Sequence, residues 1–390
     1  MDKIIMGGVE FKFNNLYKGG VATDELNFMF YYNREVTYVE MGKITVVNER
    51  AFYGCSKLNT VILKRLRVIG KEAFAGCAFK TIDITNVVSI GEGCFMGSKL
   101  ESISLNDEIT EIPIEAFRGC EVLKTIKLPS NLEIIGDRAF YRAYNVKIEL
   151  PSTIKSIAAE AFYLGGTGEI NLSTEVLIGD RAFYGSNFTK IVIKKITNIT
   201  EQLFRSCDAI TAEFENAEII GKDAFGYCRE FVSIYMPKIK KIGDYAFNYC
   251  RKLVITSLPD TLEEIGLGAF TGCSQLSLTS LPNTIRKMGL GSFAGTAIAI
   301  KQLPLNMNRL EDQVFSSCYS MIELTLGGKG YPMEYITPFF KSGGDYTKYT
   351  MGSFYDCPNL KKLTIYTTGG QALAGAPWGA TNATITYLPA

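Results

Sequence analysis

Histidine is absent from all 390 residues. Its absence removes the side chain that most often serves as a general base near neutral pH, the commonest metal ligand, and the usual partner of a catalytic Ser or Cys. Net charge is almost absent as well: 41 Lys and Arg stand against 40 Asp and Glu, leaving +1. That balance gives no electrostatic reason to expect nucleic acid or an anionic membrane as partner. No run of 18 apolar residues occurs, so no segment reads as a membrane-spanning helix, and insertion into a membrane is not expected. The opening MDKIIMGGVEFKF lacks the basic start and apolar stretch of a secretory leader. The ten cysteines include no C-x-x-C pair. The closest two, Cys77 and Cys94, are 17 apart, so zinc-type ligand spacing is missing too. No cofactor is expected.

What is abundant is repetition. Aligned on Ala-Phe, a phenylalanine recurs at Phe52, Phe74, Phe95, Phe117, Phe140, Phe162, Phe183, Phe204, Phe225, Phe247, Phe270, Phe293, Phe315 and Phe354. The first thirteen are 21 to 23 residues apart, and the last gap is 39. Five residues before most of them stands Ile (Ile69, Ile90, Ile135, Ile242), and four before usually stands Gly (Gly70, Gly91, Gly136, Gly243). Three after is usually Cys, and six after is often Leu, opening a β-rich run such as LKTIKLP at Leu123–Pro129.

Each part of the unit has a physical reading. L-x-x-I-x-L alternates apolar and polar, the mark of a short strand with one buried face. Ile-Gly reads as a second short extended piece ending in a turn, with Gly expected there for positive φ. Ala-Phe-x-x-Cys has helical spacing over about one turn, so a short helical turn is expected, with Phe and Cys both pointing into the core. One unit cannot bury its apolar side alone; stacking buries it against the next.

The unit L-x-x-I-x-L-P-x-x-(L/I)-x-x-I-G-x-x-A-F-x-x-C resembles the BspA-like class of leucine-rich repeats over about residues 45 to 366. The resemblance implies a β-rich α/β solenoid: a right-handed coil of about fourteen repeats with a parallel sheet and short helical turns. It also implies a non-catalytic bacterial surface or host-interaction protein that binds a protein or a cell-surface polymer, extracellular or on the cell surface. The alternative is a virion-associated phage-tail component for structure or host recognition, which would need no leader.

The domain reading is an N-terminal β-rich cap at 1–44, the solenoid at 45–366 and a C-terminal cap at 367–390 lidded by Trp378. An insertion at 327–352 interrupts the solenoid. It adds about 17 residues and carries Tyr331, Tyr335, Phe339, Phe340, Tyr346 and Tyr349 between glycines and prolines. Loops of that size are usually functional or disordered, and the aromatic content argues against disorder, so these six are the candidate partner-binding residues.

Chemistry elsewhere dissolves into the repeat. Nine cysteines share the position three after Phe, where other repeats place Ser98, Ala143, Gly165, Ser186 and Thr296. A small, weakly polar filler is what buried free Cys supplies. GLGSFAG at Gly289–Gly295 mimics a dinucleotide-binding glycine pattern, yet it is in phase with the repeat. The outward strand positions, among them Thr81, Asp83, Ser102, Ser104, Thr125, Lys127, Lys147 and Glu149, form a mixed polar face with little aromatic content.

Overall fold

The computed structural model describes residues 2–13, 17–18, 21–22, 25–26, 30–337 and 351–390. The chain divides into two compact units, Met1–Ile191 and Val192–Ala390. Each is a parallel-strand β-solenoid built from the same rung.

In the first unit, one ladder stacks Ser102–Ser104, Thr125–Lys127, Lys147–Ile148 and Thr167–Leu172, with Ser102 opposite Thr125, Thr125 opposite Lys147 and Lys147 opposite Thr167. A second ladder stacks the Ile positions: Glu111–Ile112, Ile134–Ile135, Ser156–Ile157 and Leu177–Ile178. Between the ladders the Phe spine is continuous. Phe30, Phe52, Phe74, Phe95, Phe117, Phe140, Phe162 and Phe183 stack face to face with ring centroids 5.1–5.9 Å apart. The spine therefore reaches back one rung further than the Ala-Phe motif, to Phe30. Ahead of it a hairpin, Asp2–Met6 with Val9–Phe13, pairs antiparallel through Asp2–Met6 to Val36–Met41, which in turn runs parallel to Thr60–Leu63.

In the second unit the Ile ladder runs through Asn198–Ile199, Ile219–Ile220, Lys241–Ile242, Glu264–Ile265 and Lys287–Met288. Its spine stacks Phe204, Phe225, Phe247, Phe270, Phe293, Phe315 and Phe354 at 5.3–6.1 Å. Glu323–Leu326, Lys362–Thr367 and Thr384–Pro389 form its last ladder. Trp378 is fully buried beside it, and its indole N–H donates to the Ala374 carbonyl at 2.9 Å.

The expected short helical turns are not there, and with them the α/β description falls. Among the described residues the helical content is the 3-10 segment Thr368–Gly370. The reason lies on either side of each Phe. Two residues before it the backbone has positive φ (Glu72 51°, Glu115 55°, Arg138 54°, Asp223 55°), and so it does two residues after (Gly76 71°, Gly119 68°, Arg142 57°, Tyr227 63°). Left-handed residues bracketing the Ala-Phe pair prevent the i to i−4 pattern of a helix. The freed amides bond between rungs instead: Phe117 N–H donates to the Ala139 carbonyl and Phe225 N–H to that of Ala246, both at 2.8 Å.

The Ile-Gly glycine also has a different cause from the expected positive φ. A Cβ on Gly136 would lie 2.7 Å from the Ile114 nitrogen, and one on Gly243 would lie 2.8 Å from the Gly221 carbonyl carbon. This glycine lets one rung's backbone settle against the preceding one. The left-handed positions lie elsewhere in the turn, and many carry ordinary side chains.

Candidate functional site

The cysteine column is interior. All ten thiols are free and buried. Cys55, Cys77, Cys120, Cys228, Cys250, Cys273, Cys318 and Cys357 donate Sγ–H to the Phe carbonyl of the preceding rung, as in Cys120 to Phe95 and Cys250 to Phe225, both 3.0 Å. Burial pushes these thiols up, Cys120 and Cys357 to about 11, Cys55 and Cys318 to about 12. A thiol held neutral is a poor nucleophile and a poor metal ligand. Among the described residues no group of three His, Cys, Asp or Glu is placed to hold a metal ion.

The lateral turns carry the charge. In the first unit, ion pairs step from rung to rung through Glu115, Arg138, Glu160 and Arg181, the shortest being Arg138–Glu160 at 2.7 Å. Tyr141, Tyr163 and Tyr184 stack beside them at 4.9 and 4.6 Å, with Arg118 and Arg142 over the Tyr141 ring. In the second unit, Arg205 pairs with the largely buried Asp223 at 2.5 Å and lies over Tyr227 at 4.9 Å. Burial raises the Asp223 pKa against the pull of Arg205.

An open recess lies on the strand face of the first unit. It holds about 540 Å³ and is lined by the outward side chains of successive rungs from Thr81 to Glu149. Its floor is the backbone around Ile82, Ile103 and Ile126. The recess forms because Thr81, Ser102, Ser104 and Thr125 are short, whereas Lys127, Lys147 and Glu149 are long. The stretch 81–85 also joins neither neighbouring ladder, so the face opens there. Lys147 and Glu149 pair at 2.7 Å, and that hydrogen bond lowers the Glu149 pKa and raises that of Lys147.

Of the six aromatic candidates, two lie among the described residues. Tyr331 and Tyr335 are exposed (47% and 39%). Tyr335 belongs to the rung itself: Tyr335–Ile336 runs parallel to Arg309–Leu310, and the Arg309 guanidinium covers the Tyr335 ring at 4.8 Å. Met333 and Ile336 are buried. The segment up to Thr337 is therefore solenoid, and the extra chain falls between the Ile and Phe positions of that rung. Phe339, Phe340, Tyr346 and Tyr349 lie outside the described residues.

Two features escaped the sequence reading. One is the recess, whose residues were placed correctly as an outward face without being joined into a site. The other is an exposed apolar stripe on the second unit, Ile210, Val232 and Val254, stacked through Val232 N–H to Ile210 O and Val254 N–H to Val232 O, each 2.8 Å. The matching column of the first unit is charged: Lys80, Glu101 and Lys124. Comparing the residue just after the repeat Leu from rung to rung would have found it.

The chain matches the model of the BspA type leucine-rich repeat region over residues 26–96, 88–211 and 210–322. Among solved structures it is similar to a leucine-rich repeat protein of Bacteroides ovatus, at 21% identity, covering 92% of this chain and 85% of that one with a TM-score of 0.61. A leucine-rich cell surface protein of Faecalibacterium prausnitzii is 20% identical, covering 80% and 86%, with a TM-score of 0.45. A Treponema pallidum leucine-rich repeat protein is 25% identical over 44% of this chain and 73% of that one, with a TM-score of 0.31. No curated protein matches the chain.

Proposed function

We propose that this chain, which belongs to the BspA type leucine-rich-repeat family, is a non-catalytic recognition protein of the cell surface that adheres to a macromolecular partner. The family is generally one of protein-binding or surface proteins. The observation that carries the reading is the rigid polar face of the first unit: outward side chains held in register, rung over rung, around an open recess of about 540 Å³. The core beneath is closed, and its thiols are engaged inside it. A face of this kind offers many weak, regularly spaced contacts, which suits a long partner better than a small substrate.

We assign a second contact surface to Tyr331 and Tyr335 with Phe339, Phe340, Tyr346 and Tyr349, because Tyr is among the residues that dominate interfaces. The hairpin at the start of the chain and the segment 367–390 are assigned as caps, since a solenoid end would otherwise expose core.

The test has two parts. Labelling of intact producing cells should find the protein outside; recovery only in purified virions would replace the surface reading with the tail-component one. Exchanging residues 338–350 for a short turn should leave the fold intact and weaken binding to a partner from host cells at least tenfold, about 1.4 kcal/mol. Unchanged binding by a folded variant would remove the aromatic segment from the contact surface.

A further inference from the structure

We infer that the recess on the strand face of the first unit is a subsite for a linear, uncharged polysaccharide of equatorially linked pyranoses, one sugar per rung. The inference rests on the recognition function proposed above and names its ligand class.

Three observations point the same way, and a fourth sets the strength expected. First, the side chains at the centre of the recess are hydroxyls: Thr81, Ser102, Ser104 and Thr125. Among the described residues none of the four has a hydrogen-bond partner, so each is free to donate one bond and accept others. Sugars present the same bivalent groups. Second, the charges at the rim cancel, with Asp83 and Glu149 against Lys127 and Lys147. A balanced rim neither attracts a polyanion nor repels a neutral chain. Third, the frame is periodic. The recess strands pair in parallel register, Ser102 opposite Thr125 and Thr125 opposite Lys147, so neighbouring rungs of this face lie about 4.8 Å apart. An extended peptide shows like-facing side chains about every 6.6 Å, so it would drift by about 2 Å per rung. A pyranose chain linked through equatorial oxygens advances by about one ring length per sugar, close to one rung. Fourth, the lining contains no aromatic ring. Recognition would then be by hydrogen bonds alone, weak for each sugar and accumulated over length.

The experiment is calorimetric titration of the full chain with β-1,4-linked oligomers of glucose, mannose and N-acetylglucosamine, two to six sugars long. At least one series should bind, gaining about tenfold in affinity from two sugars to four and little beyond, because the recess spans four rungs. Ser104→Phe and Thr125→Phe fill the recess from exposed positions; each should melt like the parent and lose at least tenfold in affinity for the tetramer. Ser233→Phe, exposed on the strand face of the second unit, should leave it unchanged. No binding by any series at millimolar concentration would overturn the inference, as would affinity indifferent to length or to the two recess variants. If an uncharged peptide binds in the recess, is lost with Thr125→Phe, and the sugars do not bind, the glycan assignment is wrong while the recognition function stands. Partner binding left unchanged by both recess variants would instead count against the face itself.

Discussion

Gly136→Ala tests the rung-stacking geometry directly. The added Cβ would sit 2.7 Å from the Ile114 nitrogen, 2.9 Å from the Pro113 carbonyl carbon and 3.0 Å from the Ile112 oxygen. All three are backbone atoms of the preceding rung, so no side chain can rotate away. The rung must lift by several tenths of an ångström, and the Gly136 N–H to Ile112 O bond, now 2.8 Å, stretches with it. Overpacking of this kind costs about 1–3 kcal/mol and occasionally more, and a rigid backbone on both sides places Gly136→Ala at the upper end. Gly97 supplies the contrast. Its φ is +65° and a Cβ there would meet nothing within 4 Å, so Gly97→Asn should cost well under about 1 kcal/mol because Asn tolerates that region. Gly136→Asn should be as damaging as Gly136→Ala. Urea unfolding followed by far-ultraviolet circular dichroism reads all three, since the one Trp lies in the other unit. If Gly136→Asn is tolerated, or Gly136→Ala matches the parent, the close approach is not the reason for the glycine.

Phe117→Ala, stacked between Phe95 and Phe140, should cost about 3–5 kcal/mol, and Phe30→Ala less, because Phe30 has one described stacking neighbour; equal midpoint shifts in urea would contradict nearest-neighbour stability. A chromogenic thiol count should find few groups in the native protein and ten after denaturation without reductant; a denatured count near zero would mean disulfides. Stability should fall as pH rises above about 8.5, where unfolded thiols ionise. In the fold Cys55, Cys120, Cys318 and Cys357 keep their protons until about 11–12, and burial raises Cys250 in the same direction, so the folded state binds more protons, and each contributes a slope of up to about 1.4 kcal/mol per pH unit. A Cys250→Ser variant should show a shallower decline between pH 8 and 10, and an identical one would sink this account. Arg138→Ala should shift stability by less than about 1 kcal/mol despite its ion pairs, because they are solvent-exposed; a larger loss at physiological salt would mark the ladder as structural.

The period was fully legible because it is written in side chains: Phe every 21 to 23 residues, Cys three later, alternating strand positions after that. What the period means for the backbone was less legible. A residue such as Glu115 or Arg138 carries no mark of the left-handed conformation it adopts, since that is imposed by the amides that must reach the next rung. Ala-Phe-x-x-Cys therefore looked like a turn of helix. Gly136 shows the reverse case: glycine is conspicuous, but its sequence does not say whether conformational freedom or lack of volume is wanted. The insertion was visible as a lengthened interval, yet its first eleven residues rejoin the array, and the buried Met333 and Ile336 look ordinary until Tyr335–Ile336 is seen paired with Arg309–Leu310. The recess was hidden for a related reason. Each hydroxyl is unremarkable in its own repeat and becomes a site only when four rungs are stacked.

The cysteine column shows how one geometric demand selects a residue without any chemistry being used. The Phe carbonyl of most rungs already accepts the amide of the residue three later, as with Cys250 N–H to Phe247 O at 3.0 Å. A second donor from the following rung can reach it only if the side chain is small enough for the turn and long enough to cross between rungs. Cys meets both conditions, its longer bond to sulfur reaching from Cys273 to Phe247 O at 3.0 Å. Where the position is Ser186 or Thr296, the shorter hydroxyl turns back to its own rung, to Phe183 O and Phe293 O at 2.8 Å. Cys120 and Cys318, one rung on, then also touch the Ser98 and Thr296 hydroxyls at 3.5 and 3.6 Å. Hydroxyl and thiol thus satisfy the same buried site through different acceptors. The position can drift between Cys, Ser and Thr while the stack is kept, and a column of nine thiols is compatible with a protein that does no thiol chemistry.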